Sequence, residues 1–233
     1  MTGGPSIRAV PFSKSTGGIA VRLLSDRHRR QLAAIATRMR VPARTILYRE
    51  DSPLSWIFFN SEGVVKAFRE LPSGKRSIAA FLFQGDIFGL AENGLYVNTT
   101  QAVTPVTVYR IPSDLLTDVL RRDPELEFHF LTKVTHELRK AQHRAIVLGR
   151  RDAAGRLATF LTMLEKGLLH KTGATSIPVP MSRTDIANYL GLSLEAVSRA
   201  ARQLTREGIV EFEGRHIAHV VNRARFDTLV AAL

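Results

Sequence analysis

Met181–His219 constrains this chain most, because two short helical periods meet there at Gly191-Leu192-Ser193. Ser182 stands where it can cap the first helix, with Asp185 three residues on in a variant of the capping box. Ser193 can cap the second. Ile186, Ala187 and Leu190 make one apolar face, and Val197, Ala200, Ala201 and Leu204 make another. Both faces must bury against a shared core, so the spacing predicts a helix pair joined by a glycine turn, a helix-turn-helix. The other side of the second helix carries Glu195, Ser198, Arg199 and Arg202 at i, i+3, i+4 and i+7, with Arg206 beyond. A polar stripe of that spacing fits a DNA major groove. The bland alternative is a solvated face of ordinary charge, but caps, turn and period agree on the sharper one. Gly208–Ile217 then reads as strand, turn and strand, a wing whose Arg215 or His216 reaches phosphate.

Ahead of this segment the patterns change twice. Residues 1–20 are rich in Gly, Pro and Ser and read as a loose arm. Leu24–Arg40 carries Leu32, Ile35, Ala36 and Met39 and reads as a helix that Ser25 caps and Pro42 stops. From Thr45 to Ile111, short runs rich in aromatic and β-branched residues alternate with turn signals. The runs are Trp56–Phe59, Val64–Phe68, Ser77–Phe83 and Val106–Ile111. That rhythm predicts a jelly roll or barrel. Ser113–Arg122 reads as a short helix. Asp123-Pro124-Glu125 starts a longer one, with Asp as N-cap and Pro at the first helical position. Along it Leu126, Phe130, Val134, Leu138, Ala141, Ala145 and Leu148 recur at threes and fours, a coiled-coil-like stripe. Gly149 can end it. Asp152 starts the next helix, whose buried face is Leu157, Phe160, Leu161 and Leu164. Phe226–Leu233 is a last short helix. The expected fold class is α+β.

Charge and composition narrow the partners. Of 233 residues, 33 are Lys or Arg and 21 are Asp or Glu, a formal net charge of +12, so a polyanionic partner is expected. There are no cysteines. Disulfides, thiolate zinc sites and a cysteine-ligated iron–sulfur cluster are therefore excluded. No apolar run approaches the ~20 residues that span a bilayer. No membrane partner and a cytoplasmic location are expected.

The residues L-S-L-E-A-V-S-R at Leu192–Arg199 resemble the recognition helix of the CRP/FNR bacterial transcription regulators. E-x-x-S-R at Glu195–Arg199 is similar to the FNR/FixK branch, which reads TTGA-type half-sites. Asp152–Leu157 is similar to the family's hinge segment. Leu71–Lys75 and F-Q-G-D-I-F-G at Phe83–Gly89 are similar to its effector domain. The resemblance implies a domain plan: an arm at 1–20, a cyclic-nucleotide-binding-like jelly-roll β domain at 21–122, a dimerisation helix at 123–149 and a winged helix-turn-helix at 150–233. It implies that Glu195 accepts from a cytosine amino group and Arg199 donates to a guanine, pairings that base-edge chemistry favours. Leu194 is then placed at a thymine methyl and Ser198 at a base or phosphate. Ser182, Arg183, Ser193, Arg202 and Arg215 are assigned to phosphates. The dimer seam is assigned to Phe130, Val134, Leu138, Ala141, Ala145 and Leu148. Double-stranded DNA, a second copy of the chain and RNA polymerase are the implied partners, on a site near TTGA(T/C)-N4-(G/A)TCAA.

Other chemistry finds less support. A cAMP-binding relative carries a Glu after the second Gly of its phosphate cassette and an Arg-Ser pair further on. Here Leu90 follows Gly89, and Asn98-Thr99 stands near the Arg-Ser place. A cyclic phosphate would lack its bidentate partner, so cAMP is not expected. Gly74-Lys75 is not a phosphate loop, since Arg69 and Arg76 replace the required Gly and Ser or Thr. His136 and His143 are too far apart along one helix for one metal, and His216 and His219 point opposite ways if extended. No cofactor is expected. No G-x-S-x-G elbow occurs, and an enzyme is not expected. Two other classes stay open: the same regulator gated by a small molecule in the β-roll, and a nucleic-acid binder without a regulatory role.

Overall fold

A computed structural model describes residues 25–149, 152–170 and 173–231. The arm expected at 1–20 lies outside them. Helix α1 (Asp26–Ile35) starts at Ser25, whose hydroxyl accepts from the His28 amide at 3.2 Å. It ends five residues short of the expected Arg40. Ala36 is extended (φ −93°, ψ 140°), and Thr37–Val41 forms strand β1. The reason is tertiary. Thr37–Val41 pairs residue for residue with Arg110–Val106 of strand β10 (Val106–Pro112), and a full antiparallel ladder outweighs helical period in five residues.

The chain divides into two compact units, one of residues up to 67 with 81–139, the other of 68–80 with 140 onward. Between β1 and β10 lie β2 (Ile46–Tyr48), β3 (Trp56–Glu62), β4 (Val65–Glu70), β5 (Arg76–Leu82), β6 (Ile87–Phe88), β7 (Ala91–Glu92), β8 (Leu95–Tyr96) and β9 (Thr99–Ala102). Two four-stranded sheets result, ordered β1-β10-β3-β6 and β2-β9-β4-β5. In β3, Ile57–Asn60 are all buried. Strand side chains alternate between faces, so both faces of β3 are covered. Ile57 and Phe59, with Tyr109 and Ile111, meet Leu32 of α1, Leu116 of α2 (Ser113–Arg122) and Leu126 of α3 (Pro124–Gly149). Phe58 faces the other way, onto Tyr48 and Phe88.

Asp123 joins α1 to the start of α3. Its Oδ1 accepts from the Leu126 amide at 3.2 Å, and its Oδ2 meets Arg27 at 3.1 Å and His28 at 3.4 Å. Burial alone would raise the Asp123 pKa. The Leu126 amide and the charges of His28 and Arg27 outweigh it, and the net shift is downward. A carboxyl whose folded pKa is depressed adds stability above its unfolded pKa and loses it as pH falls through the folded one. Asp123→Asn keeps a competent cap and removes the charge. The variant is therefore expected to be less stable at neutral pH, with the gap closing as pH drops below ~4. Denaturant titrations of both proteins across that range check this; a gap independent of pH would contradict it.

Anchoring at Asp123 also turns the first turns of α3 inward. Leu126 is fully buried, and Phe130 packs partly buried against the same core, its ring edge-on to Phe59 at 5.9 Å. The exposed apolar positions are Phe128 (67%), Leu131 (61%), Val134 (41%) and Leu138 (58%), with Ala141, Ala145 and Ile146 beyond. Phe130, expected on the outer seam, thus belongs to the inner face. Leu148 is half-buried.

In the second unit, Asp152 caps α4 (Ala153–Leu169), accepting from Ala154 at 3.0 Å and Gly155 at 2.7 Å. Leu157, Phe160, Leu161 and Leu164 are buried as the period predicts. A three-stranded sheet, β11-β13-β12, combines β11 (Ser176–Pro178), β12 (Val210–Glu213) and β13 (Ile217–Val220). The last helix, α7, spans Arg223–Ala231 rather than starting at Phe226, because Asn222 Oδ1 accepts from the Arg225 amide at 3.1 Å. Its Arg223 meets Glu165 of α4, which is wholly buried, at 2.8 and 3.3 Å. No helix among the described residues is long and apolar enough to cross a membrane.

Candidate nucleic-acid interface

Helices α5 (Arg183–Leu190) and α6 (Leu194–Arg206) form where the caps place them. The Ser182 hydroxyl accepts from the Asp185 amide at 3.0 Å, and that of Ser193 from Ala196 at 3.1 Å. Gly191 closes α5 in the left-handed region (φ 61°), which costs glycine little. Its amide and that of Leu192 both donate to the Ala187 carbonyl. Two more carbonyls at this helix end are met by arginines. Arg156 Nη1 donates to Leu190 at 3.0 Å, and Arg144 Nη2 donates to Tyr189 at 3.1 Å. Cations at a helix C-terminus also complement its dipole.

The inner faces are buried: Ile186, Ala187 and Leu190 on α5, and Val197, Ala200, Ala201 and Leu204 on α6. Glu195, Arg199, Arg202 and Arg206 lie exposed on the outer side, with Leu194 at 45% and Ser198 half-exposed. The Glu195 carboxyl is held below the usual carboxylate range. Its own backbone amide and the Ser193 hydroxyl do most of this, and the Arg199 charge adds to it. Glu195 therefore presents an anionic acceptor one helical turn from the Arg199 donor fork. The Ser198 hydroxyl donates to the Leu194 carbonyl at 3.0 Å, so toward a ligand it is an acceptor. Arg202 Nε donates to the Ser198 carbonyl at 3.4 Å.

The remaining expected residues divide between two places. Ser182 and Ser193 sit at the two helix starts. Arg183 is half-buried, its guanidinium 5.4 Å from the centre of the Phe212 ring in β12, and so links α5 to the wing. Arg215 and His216 are exposed on the turn between β12 and β13. Three contacts were not legible in the sequence. His219 Nε2 lies 3.0 Å from Glu213 Oε2 across the wing, Arg225 Nη1 donates to the Glu207 carbonyl at the end of α6 at 2.8 Å, and Arg144 meets α5. Only the preference of basic residues for helix C-termini hints at the last two.

A capped helix pair, a wing and an outward face of paired charge define a winged helix-turn-helix protein, preceded by a β-roll and a long helix. The comparisons with known proteins agree. Residues 155–229 match the model of the Crp-like helix-turn-helix domain, and residues 38–123 that of the cyclic nucleotide-binding domain. The nitrogen fixation regulation protein FixK of Bradyrhizobium diazoefficiens is 34% identical over 81% of this chain and 79% of its own. The transcriptional activatory protein AadR of Rhodopseudomonas palustris is 31% identical over 85% and 83%. The solved structure of FixK2 from Bradyrhizobium japonicum superposes with a TM-score of 0.78 at 33% identity, covering 85% of this chain and 99% of that one. The chain belongs to the CRP/FNR family of transcription regulators, close to its FixK and FNR branch.

The family's β-roll model is named for cyclic nucleotides, but the residues at that place do not fit one. Tyr48 and Tyr96 stack inside the roll at 4.0 Å and 17°, and Phe58 and Phe88 extend the aromatic packing at 5.1 Å. Tyr96 Oη donates to the Trp56 carbonyl and accepts from the Trp56 amide, both at 2.9 Å. Burial pushes the Tyr48 phenol up to about 12, so it stays a neutral donor, 3.5 Å from Asn98 Oδ1. Thr100 also donates to Asn98, and Thr99 Oγ1 accepts from the Glu50 amide. Gly89 lies so close to Trp56 that a Cβ there would stand 2.8 Å from its carbonyl oxygen. The side chains at the Arg-Ser place are committed to internal hydrogen bonds.

Proposed function

We propose that two copies of this chain pair through α3 and place their α6 helices in successive major-groove turns of a palindromic TTGA-type duplex. The observation that carries this reading is the two-sidedness of α6. Val197, Ala200, Ala201 and Leu204 are buried, while Glu195 and Arg199 stand outside it as acceptor and donor. Glu195 takes a cytosine amino group, Arg199 a guanine edge, and Leu194 a thymine methyl. Ser198 accepts from a base or stands near phosphate. Ser182, Arg183, Ser193, Arg202 and Arg215 meet phosphates, which fix register without reading sequence. The names of its relatives, a transcriptional activatory protein and a nitrogen fixation regulation protein, support regulation as the purpose, and RNA polymerase is the neighbour that such a role would need.

The α3 seam supports pairing. Leu131, Val134, Leu138, Ala141 and Ala145 fall at alternating threes and fours, with Phe128 three residues before them, as two packed helices require. Exposed apolar side chains of this number on one helix mark an interface. In this reading the seam consists of Phe128, Leu131, Val134, Leu138, Ala141 and Ala145, without Phe130. The β-roll serves as a packed support rather than a nucleotide receptor.

Selection of duplexes from a random pool, with sedimentation of the free protein, tests the reading. The expected outcome is a dimer that enriches inverted repeats with half-sites about one helical turn apart. Enrichment of sequences without a repeat, or equal competition by RNA, would overturn it.

A further inference from the structure

One cationic side chain on α3 is used for neither the seam nor the DNA-facing side. Arg144 spends both hydrogens of a single nitrogen. Nη2 donates to the Ile78 carbonyl of β5 at 2.6 Å and to the Tyr189 carbonyl of α5 at 3.1 Å. Its guanidinium also lies 4.8 Å from the centre of the Tyr189 ring. Arg144, Ile78 and Tyr189 all belong to the second compact unit. Strand β5 is the last of its sheet, so this contact also satisfies a carbonyl on a sheet edge. Tyr189 is held from below in turn. Its hydroxyl donates to Met163 Sδ at 3.2 Å, and its ring tilts against Phe160 at 5.7 Å.

We propose that Arg144 is a positioning residue that fixes the reach of each recognition helix from the dimer seam, and so sets which spacing between half-sites is bound. This rests on the proposed dimeric reading of DNA. Ala141 and Ala145 of the seam lie within three residues of Arg144 on the same two turns of α3. Arg144 joins those turns to the end of α5, and α5 shares a buried core with α6. In a dimer the link occurs twice, so a small displacement of α5 and α6 in each copy changes the separation of the two α6 helices by up to twice that amount. Arg144 touches no base, so its loss leaves the recognition of a half-site alone. Guanidinium geometry matters, since one nitrogen must reach two carbonyls from a planar fork; an ammonium at the end of a lysine is a weaker substitute.

The test uses the full chain with Arg144→Gln and Arg144→Lys. Binding is measured on duplexes with two identical half-sites separated by N3, N4 or N5, and on N4 duplexes with one half-site base pair changed. Wild type is expected to separate the best spacer from its neighbours by about tenfold, comparable to one mismatched base pair. In Arg144→Gln that spacer factor collapses toward one, while the base-pair factor and the sedimenting mass stay as in wild type. Arg144→Lys falls between and serves if the glutamine variant melts early. Spacer factors unchanged in both variants would overturn the proposal with the dimeric reading intact. A wild type that shows no spacer preference at all would remove that reading and the proposal together.

Discussion

Arg199→Ala is expected to abolish specific binding while leaving weak, salt-sensitive binding nearly intact. Base reading and phosphate holding fall to different side chains along α6 in the proposed complex. A bidentate contact to a base edge is worth ~1–3 kcal/mol of discrimination. A dimer makes two such contacts, about 2–6 kcal/mol together, a loss of roughly thirtyfold to ten-thousandfold in affinity for the palindrome. On a random duplex the protein holds phosphates instead, and the counterions released there set the affinity and its salt slope. Arg199 lies one turn from Glu195 and outside the buried side of α6, so its removal leaves the phosphate set in place. Arg202→Ala provides the contrast. It should weaken both duplexes alike and lower the salt slope by about one per subunit. Titrations of both variants on palindromic and random duplexes at several salt concentrations separate the two patterns. Equal loss on both duplexes for Arg199→Ala would contradict base reading.

Arg223→Ala is expected to cost the most stability of any single change outside the apolar core. Glu165 is wholly buried on α4, and Arg223 of α7 meets both its oxygens. The Glu165 carboxylate holds the Arg223 pKa above its usual value, so the guanidinium keeps its charge beside it. Removing the cation strands a buried carboxylate, for which breaking buried pairs costs ~3–5 kcal/mol. The lower end applies, near 3 kcal/mol, because the Arg223 side chain is one-third exposed and the Ala174 amide still donates to Glu165. Replacing both partners by methionine should cost less than removing Arg223 alone, since no charge is then left unpaired. Denaturant midpoints of the single and double variants decide this. A single variant as stable as wild type would show that the ion pair holds nothing in place.

What could be read from the sequence follows the distance over which each decision is made. The helix-turn-helix was legible because its causes are local. Ser182 and Ser193 cap within three residues, Gly191 turns within one, and the apolar period completes within two turns. The long helix was legible as a helix, and its start at Asp123 was too. The face of Phe130 was not, because an α-helical period does not say which of two apolar stripes meets its own domain. The contact of Phe130 with Phe59, seventy-one residues away, decides that. Thr37–Arg40 of strand β1 was read as helix for the same reason, since its partner β10 lies about seventy residues on. Strands as short as Ile87–Phe88 carry no period at all. The aromatic filling of the β-roll brings Tyr48 and Tyr96 together across the roll, although the departures at Leu90 and Asn98 already argued against a cyclic phosphate. Arg144 and Arg225 find their carbonyls through tertiary packing, of which the sequence gives no more than the preference of basic residues for helix C-termini.

The proposed base-reading role of Glu195 and Arg199 can be tested from the DNA side. Wild type and Glu195→Ala are titrated against the palindrome and against the same duplex with the C·G pair of each half-site replaced. Wild type should lose about tenfold or more on the replaced duplex, and Glu195→Ala should bind the two duplexes nearly alike. If Glu195→Ala discriminates as sharply as wild type, the carboxylate does not meet that base pair and the account of the recognition helix fails.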